Sequence, residues 1–300
     1  MQASLTRLED GDLEYRCGNT ALFRYVTAPP EPLMESPKSH FHPLRTLAGD
    51  VVTIHRPWDH AWHHGLSMTA SQLSGQNFWG GPTYLRDRGY AQLDNNGSIL
   101  HRDWEEQAGT PERPVLRERL EWVASTGSVW IDELRTIAVT EVDINEGWWA
   151  LRLGFSLRNV TDSTLTFGSP TTAGRPAAGY GGLFWRGPRS FLGGHIRAEG
   201  GLDGPDVMGR RARWLAFTGH HDETMGVSTL VFADTPSNPR YPNKWFVRNQ
   251  PYACASCAFM FDEEYDLAAG VELRLEYDVI IAAGEWEGDA VESGLGRLRG

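Results

Sequence analysis

Long runs in which apolar and polar residues alternate are the feature that most restricts the fold of this chain. In WALRLGFSLRNV, residues 149–160, the odd-numbered positions from Trp149 to Leu157 are apolar, and the polar residues between them include Arg152. VELRLEYDVII, residues 271–281, repeats the pattern. Side chains of a strand point alternately to its two faces, so a period of two indicates strands with one buried face. Antiparallel sheets with one solvated face show this alternation.

Further strands are predicted along most of the chain, whereas helical periodicity is nearly absent. The additional strand candidates lie at residues 21–26, 51–55, 118–124, 134–143, 213–218, 226–233 and 257–261. A helix is predicted only over EGDAVESGLGRL, residues 287–298, and a helical turn around residues 59–64. No repeat of fixed period indicates a propeller or a solenoid. The sequence therefore predicts an all-β fold, a large antiparallel β-sandwich with few short helices, formed by residues 1–300 as a single domain.

Charge and hydropathy argue against two classes of partner. The net charge is −11 and Lys and Arg form no cluster, which argues against a nucleic-acid surface. No segment approaches the roughly 18 consecutive apolar residues of a membrane helix, and the sequence does not open with a basic stretch followed by an apolar run. We therefore expect a cytoplasmic protein whose partner is a small neutral or cationic molecule, with the oligomeric state left open.

Histidines cluster in one part of the sequence. Six of the ten lie between positions 40 and 64, in SHFHP and in HRPWDHAWHHGL. His40 and His42 share a face if their segment is extended, and one turn of helix would align His60 with His64. Imidazole is a common ligand of zinc, copper and iron. One hypothesis is therefore a metal ion held by His42, His60 and His64, with Asp59 as a further ligand.

A site without a metal is an equally open interpretation of the same residues. The H-E-x-x-H motif of zinc proteases is absent. Histidines beside Trp58 and Trp62 can also act as acid and base, hydrogen bond a ligand as neutral groups, or pack in the core. The cofactor is accordingly either none or one divalent or transition metal ion.

Tryptophans form the second signal. Five of the twelve fall in predicted loops, namely Trp58, Trp62, Trp79, Trp104 and Trp185. An aromatic face beside amides and hydroxyls can stack on a sugar ring. The segment GQNFWGG combines Gln76 and Asn77 with Trp79, so we expect it to contact a carbohydrate. The alternative for any single tryptophan is burial in the core.

Carboxylates and cysteines give weaker signals. GLDGPD places Asp203 and Asp206 in a Gly-rich loop, and Asp206 is a candidate for substrate binding. Cys254 and Cys257 form a C-x-x-C inside an apolar run. We expect these thiols to be buried and structural, because free cysteines commonly pack in cores.

The chain resembles the bacterial PmoA-like family. The resemblance rests on FHPLRTLAGDVVTIHRPWDHAWHHGL followed by LSGQNFWG, on GYGGLFWR and on GLDGPDVMGRRARWLAFTGH, and it covers most of residues 38–281. It implies a galactose-mutarotase-like supersandwich and chemistry on carbohydrates. The family pattern falls on His42, Arg56, Asp59, His60, His63, His64, Gln76, Asn77 and Trp79. The glutamate base of mutarotases matches no motif in this sequence.

Our leading hypothesis is a carbohydrate-active enzyme with a His-rich, Trp-lined pocket. The catalytic candidates are His60, His63, His64 and Asp59. The substrate-binding candidates are His42, Arg56, Gln76, Asn77, Trp79 and Asp206. Two alternatives stay open. One is an iron- or copper-dependent oxidoreductase or oxygenase that binds its metal through His42, His60 and His64, and the other is a sugar-binding protein without catalytic activity.

Overall fold

Two large antiparallel sheets pack face to face in the computed structural model, which describes residues 2–299. In chain order, the strands are β1 (Ala3–Arg7), β2 (Leu13–Cys17), β3 (Thr20–Val26), β4 (His40–Leu44), β5 (Leu66–Thr69), β6 (Gln72–Leu73), β7 (Thr83–Leu85), β8 (Gly89–Ala91), β9 (Ser98–Gly109), β10 (Pro114–Val123), β11 (Val129–Asp143), β12 (Trp148–Asn159), β13 (Leu165–Gly168), β14 (Gly182–Arg186), β15 (His195–Ala198), β16 (Leu202–Asp203), β17 (Trp214–His220), β18 (Val227–Asp234), β19 (Lys244–Arg248), β20 (Cys254–Ala258), β21 (Tyr265–Leu267) and β22 (Glu272–Ala283). One α-helix, α1 (Gly288–Arg299), follows them. Short 3-10 turns lie at Leu33–Glu35, Arg189–Phe191, Glu199–Gly201 and Gly204–Val207.

The strand order defines an eight-stranded and a nine-stranded sheet. The eight-stranded sheet runs β1-β2-β3-β4-β5-β14-β20-β19, and the nine-stranded sheet runs β16-β15-β17-β18-β22-β12-β11-β10-β9. Two small sheets, β21-β13-β6 and β7-β8, accompany them. All strand pairs within these sheets are antiparallel, as in the pair β11 and β12. The predicted all-β antiparallel fold is confirmed.

Aromatic side chains from both sheets fill the space between them. Phe23 of β3 stacks on Trp149 of β12 with ring centroids 6.2 Å apart. Trp185 of β14 contacts Phe217 of β17 at 5.1 Å. The glycines and prolines around Trp185 predict a loop there, but Trp185 lies in strand β14 and is fully buried. Trp104, also expected in a loop, lies in β9.

The helix α1 covers part of the second face of the nine-stranded sheet. Trp149 and its odd-numbered neighbours in β12 face the sandwich interior, whereas Trp148 and Ala150 pack against Val291 and Leu295 of α1. The predicted helix is thus observed, and it buries one end of a strand face that the alternation assigned to solvent. Within residues 2–299, no helix combines the length and the hydropathy that a membrane span requires.

A buried polar network lies within the sandwich between β3, β10 and β11. Arg135 Nε donates to Glu133 at 2.7 Å, and Arg135 Nη1 donates to the hydroxyl of Tyr25 at 2.8 Å. The Tyr25 hydroxyl in turn donates to Glu118, and Trp122 Nε1 donates to Glu133 at 2.6 Å. Arg135 and both glutamates are at least 98% buried. The guanidinium is therefore the cation that compensates two carboxylates removed from water.

Replacement of Arg135 by methionine is expected to destabilise the protein by about 3–5 kcal/mol, because it leaves Glu133 and Glu118 buried without their cation. Urea denaturation measures the change. Arg274→Met is the matched control, since its side chain is 82% exposed and a change within about 0.5 kcal/mol is expected there. A loss below about 1 kcal/mol for R135M would contradict this account of the network.

Candidate functional site

A cavity of about 400 Å³ lies over the outer face of the eight-stranded sheet, at the strands β14, β19 and β20. Alternation along each strand sends one side chain into the sandwich and the next toward the cavity. Trp185 packs inside the sandwich, whereas its neighbour Phe184 lines the cavity. In the same way Phe246 and Cys254 form part of the floor.

Loops from distant parts of the chain build aromatic walls on this floor. Trp79 packs against Tyr180 with ring centroids 4.5 Å apart and against Phe184 at 4.4 Å. Tyr180 also contacts Phe246 at 5.4 Å. The full lining is His60, Trp62, His63, Trp79, Pro82, Tyr90, Arg175, Tyr180, Phe184, Phe246, Arg248, Pro251, Tyr252 and Cys254. The cavity thus combines aromatic faces with histidines and arginines.

Asn77 positions Trp79 rather than contacting the cavity. Its side-chain oxygen accepts hydrogen bonds from the backbone N–H groups of Trp79 and Gly80, each at 2.9 Å. Its amide nitrogen donates to the carbonyl of Gly81 and to Thr83, each at 3.1 Å. A buried asparagine that uses both ends of its amide in this way fixes the turn.

The glycines after Trp79 make room for Trp62. Gly81 has a φ of +65°, and a Cβ added to it would lie 2.5 Å from ring atoms of Trp62. Only glycine accommodates both the left-handed backbone and the indole at this distance. The segment GQNFWGG therefore contributes to two walls of the cavity. Trp79 forms one, and the glycines leave the space in which Trp62 forms the other.

Asp59 and His60 form a carboxylate–imidazole pair on the cavity wall. His60 Nδ1 donates to Asp59 Oδ2 at 3.1 Å, and Arg189 donates to the other carboxylate oxygen at 2.6 Å. Burial alone would raise the pKa of Asp59, but the hydrogen bonds from His60 and Arg189 outweigh it and hold that pKa at about 2. Asp59 thus stays ionised and leaves His60 Nε2 as the nitrogen available to a ligand.

His63 lies beside this pair and is fully buried. Its ring stacks on His60 with centroids 4.7 Å apart, and its Nδ1 accepts a hydrogen bond from Arg186 Nη1 at 3.2 Å. The Arg186 guanidinium also lies 3.9 Å from the ring centre of Tyr252. Burial, followed by the charge of Arg186, keeps the pKa of His63 well below its ordinary value. His63 is therefore a neutral wall residue.

The remaining predicted histidine ligands lie elsewhere. Residues 57–63 form two consecutive turns, with His60 N–H bonded to Pro57 and His63 N–H bonded to His60, so the expected helical turn does not form. His60 and His64 consequently do not share a face. His42, His60 and His64 are not brought together, and among residues 2–299 the group that could hold a metal is Glu31, His55 and His64, with donor atoms within 4.8 Å of one another.

Four other predicted binding residues do not line the cavity. Arg56 forms a two-fold hydrogen bond with Glu35, each at 2.8 Å. His42 Nδ1 pairs with Thr53 at 3.0 Å. Gln76 accepts a hydrogen bond from the N–H of Ser125 at 2.7 Å. Asp206 is exposed in the 3-10 turn Gly204–Val207. Of the predicted site residues, His60, His63 and Trp79 line the cavity. Asp59 does not line it but is hydrogen bonded to His60.

Sequence reasoning missed most of the other lining residues. They are Tyr90, Arg175, Tyr180, Phe184, Phe246, Arg248 and Tyr252. Tyr90 of β8 and Tyr180, just before β14, meet with their hydroxyls 2.8 Å apart. A signal for them was present in GYGGLFWR, which contains Tyr180 and Phe184. No sequence signal marked Phe246 and Arg248, because a strand residue that faces the cavity has the same alternating pattern as any other strand residue.

Cys254 and Cys257 lie on opposite faces of β20. Cys254 lines the cavity, while Cys257 packs in the sandwich beside Tyr277. Both are free and buried. Burial raises the pKa of Cys254 to about 12, so its thiol is not a nucleophile at neutral pH.

Comparison with solved structures finds weak similarities to sugar-processing enzymes. A GH36 alpha-galactosidase, AgaA, from Geobacillus stearothermophilus in complex with stachyose is 10% identical, with a TM-score of 0.46. The same enzyme in complex with raffinose is 12% identical, with a TM-score of 0.43. This chain is covered to 96% in both alignments but spans only 42% of the length of those structures.

A candidate kojibiose phosphorylase from the human microbiome is 8% identical over 99% of this chain and 32% of its own, with a TM-score of 0.37. Similarities at this level indicate nothing about the activity of this chain. No curated protein matches it.

The family model that matches the chain covers residues 12–295, and its description is a family of unknown function, DUF6807. The assignment to PmoA-like proteins made from the histidine and GQNFWG segments is therefore wrong. Of the nine positions in that pattern, His60, His63 and Trp79 line the cavity, and most of the others bond groups of the protein.

Gly81→Ala is expected to displace Trp62 from the cavity wall, because the added methyl group overlaps its ring. Gly75→Ala is the matched control, since Gly75 also has a positive φ, +87°, but nothing lies within 4 Å of an added Cβ. The control should cost only the backbone strain, about 1–2 kcal/mol. G81A should cost more in urea denaturation and change the intrinsic fluorescence, and Trp62→Phe in each background assigns that change. Equal effects of the two substitutions would refute the role given to Gly81.

Proposed function

Because this chain belongs to DUF6807, a family of unknown function, we propose its function from its own cavity: it binds a sugar derivative that carries a negative charge, and His60 with Asp59 transfers a proton to or from it. One observation carries the proposal. The Asp59–His60 pair stands on the wall of an aromatic cavity in which the cationic groups have no carboxylate partner.

The size and walls of the cavity suit a sugar. About 400 Å³ falls in the range of small-molecule sites, about 300–1,000 Å³. Trp62, Trp79 and Tyr180 offer flat apolar faces for the C–H groups of a sugar ring, while hydroxyl and imidazole groups at the same wall can bond its hydroxyls. A purely apolar ligand would leave these polar groups unpaired.

Two arginines favour a negatively charged ligand. Arg175 and Arg248 line the cavity, and no carboxylate of residues 2–299 lies within ion-pair distance of either. Arg175 donates to the hydroxyl of Tyr90, and Arg248 lies over the ring of Phe246 at 5.2 Å. Guanidinium groups bind carboxylates and phosphates through paired hydrogen bonds. The negative net charge of the chain predicted a neutral or cationic ligand, but the local charge at the cavity is positive.

The chemistry that fits the cavity is proton transfer. Asp59 orients His60 and stabilises its charged form, so that Nε2 can take a proton from a ligand C–H or O–H group and return it. The described lining contains no Asp or Glu. The geometry therefore does not favour hydrolysis by a pair of carboxylates, which needs two of them flanking the glycosidic bond.

Arg248→Met and Arg175→Met are each expected to weaken the binding of D-glucuronate by about 10–100-fold, the equivalent of one lost charge-assisted hydrogen bond. The affinity for D-glucose should change little. Isothermal titration with both sugars measures this, and Arg274→Met on the far surface is the control. Equal binding of the neutral and the charged sugar by the unaltered protein would remove the argument for an anionic ligand.

His60→Asn is expected to keep sugar binding within a few-fold and to lower proton transfer by about 10²–10⁴-fold. Incubation of a panel of sugar acids in D₂O, followed by NMR, detects deuterium incorporation at a C–H group. Proton transfer at an O–H group is detected only through conversion of the sugar, because hydroxyl protons exchange with the solvent without an enzyme. Burial lowers the pKa of His60, partly offset by Asp59. The neutral base therefore persists to lower pH than in a free histidine, and the rate should fall only below about pH 6.5.

Asp59→Asn should remove the orienting charge and slow exchange, while Arg189→Met, which leaves Asp59 in place, slows it less. Tight binding of a sugar acid with neither exchange nor conversion would identify a binding protein without catalytic activity. That result would reject the catalytic half of the proposal and leave the binding half standing.

A further inference from the structure

A second cluster of histidines and carboxylates lies apart from the cavity. Its members come from the segment before β4, from β4 itself and from the segment that precedes β5. They are Glu31, His40, His55 and His64. The ring centroids of His40 and His55 are 4.9 Å apart, and those of His55 and His64 are 5.1 Å apart. None of the four residues lines the cavity.

Three buried side-chain atoms of this cluster have no hydrogen-bond partner. They are Glu31 Oε2, His40 Nε2 and His64 Nδ1. His40 and His64 are each 99% buried. Buried polar atoms are nearly always paired, because the loss of water is otherwise uncompensated. Three such atoms in one cluster offer a set of ligands to one cation.

Bonds on the far side of both rings select the nitrogen that remains free. His40 Nδ1 donates to the carbonyl of Lys38 at 2.9 Å, and His64 Nε2 donates to the carbonyl of Ala61 at 3.2 Å. A carbonyl only accepts, so the proton sits on the bonded nitrogen and the opposite nitrogen presents its lone pair. Metal-binding histidines have this arrangement, with the second N–H donated to a carbonyl or carboxylate.

We propose that Glu31, His55 and His64 bind a divalent transition metal ion, with His40 completing the coordination. One donor atom from each of the first three residues lies within 4.8 Å of the others. Ligand atoms of a tetrahedral zinc site are about 3.3 Å apart, so small side-chain rotations close the group around an ion. His55 Nε2 lies 2.9 Å from Glu31 Oε1, so two of the proposed ligands are already in contact.

The donor set selects the class of ion. Imidazole nitrogens with one carboxylate suit Zn²⁺ and also Fe²⁺ or Mn²⁺, whereas Ca²⁺ and Mg²⁺ prefer oxygen ligands throughout. The carboxylates of Glu31 and Glu35 offset the charge of Lys38, whose Nζ donates to the carbonyl of Glu35 at 3.2 Å. His55 is 27% exposed and provides the side from which an ion can enter.

The bound ion would tie together segments that carry the cavity wall. His64 directly follows His63, and Lys38 also donates to the carbonyl of Trp79 at 3.2 Å. Both His63 and Trp79 line the cavity. The ion stabilises these segments on the side away from the cavity. Its binding does not depend on the sugar or on proton transfer.

Metal binding by the full chain tests the proposal. The protein is stripped with a chelator, dialysed against Zn²⁺, Fe²⁺ or Mn²⁺ and measured by elemental analysis, and Co²⁺ is added as a spectroscopic probe. We expect one ion per chain, a visible d–d spectrum from bound Co²⁺ and a rise in melting temperature with added metal. Glu31→Gln and His55→Gln should abolish all three effects.

His195→Gln is the matched control, because His195 is 39% exposed and lies in β15. It should bind the ion as the unaltered protein does. Circular dichroism of the stripped variants separates loss of the site from loss of the fold. Absence of stoichiometric binding for every ion, or equal binding by the Glu31 and His55 variants, overturns the proposal.

Discussion

Three neighbouring strands, β14, β20 and β19, carry the sandwich core on one face and the cavity floor on the other. On one face Trp185 and Trp245 close the sandwich core, and on the other Phe184, Phe246 and Cys254 form the cavity floor. Strand geometry makes the two faces inseparable, since each residue that moves on one face moves its neighbour on the other. The cavity floor therefore shares its strands with the sandwich core.

Polar groups around this floor act mainly by holding others in place. Asn77 fixes the turn that presents Trp79, Arg189 and His60 hold Asp59, and Arg56 holds Glu35. Asn77, Arg189 and Arg56 direct these hydrogen bonds to groups of the protein, whereas His60 uses only Nδ1 for Asp59 and keeps Nε2 open to the cavity. Arg175 and Arg248 differ because they have no carboxylate partner among the described residues. That difference separates residues that build the site from residues available to a ligand.

Much of the fold could be predicted from local pattern, and the site only in part. Alternation located most long strands and the C-terminal helix, because one buried face imposes a period of two or of 3.6. Trp185 and the short strands near the cavity were missed, because strands buried on both faces and Gly-rich turns show no period. In the GQNFWGG segment Trp79 lines the cavity, whereas Asn77 and Gln76 accept hydrogen bonds from the backbone.

The histidines show most clearly which features of the site could not be predicted from the sequence. The all-β class and the density of histidine and tryptophan between positions 40 and 79 follow from the sequence alone. The separation of His60 and His63, which face the cavity, from His64, which lies with Glu31 and His55, follows from the tertiary structure. Residues 57–63 form turns rather than a helix, so His60 and His64 do not share a face, and His64 pairs with His55 in a β-bridge. Arg175 precedes β14 in the chain, and Arg248 lies in β19. Both line one cavity because β14 and β19 lie on either side of β20.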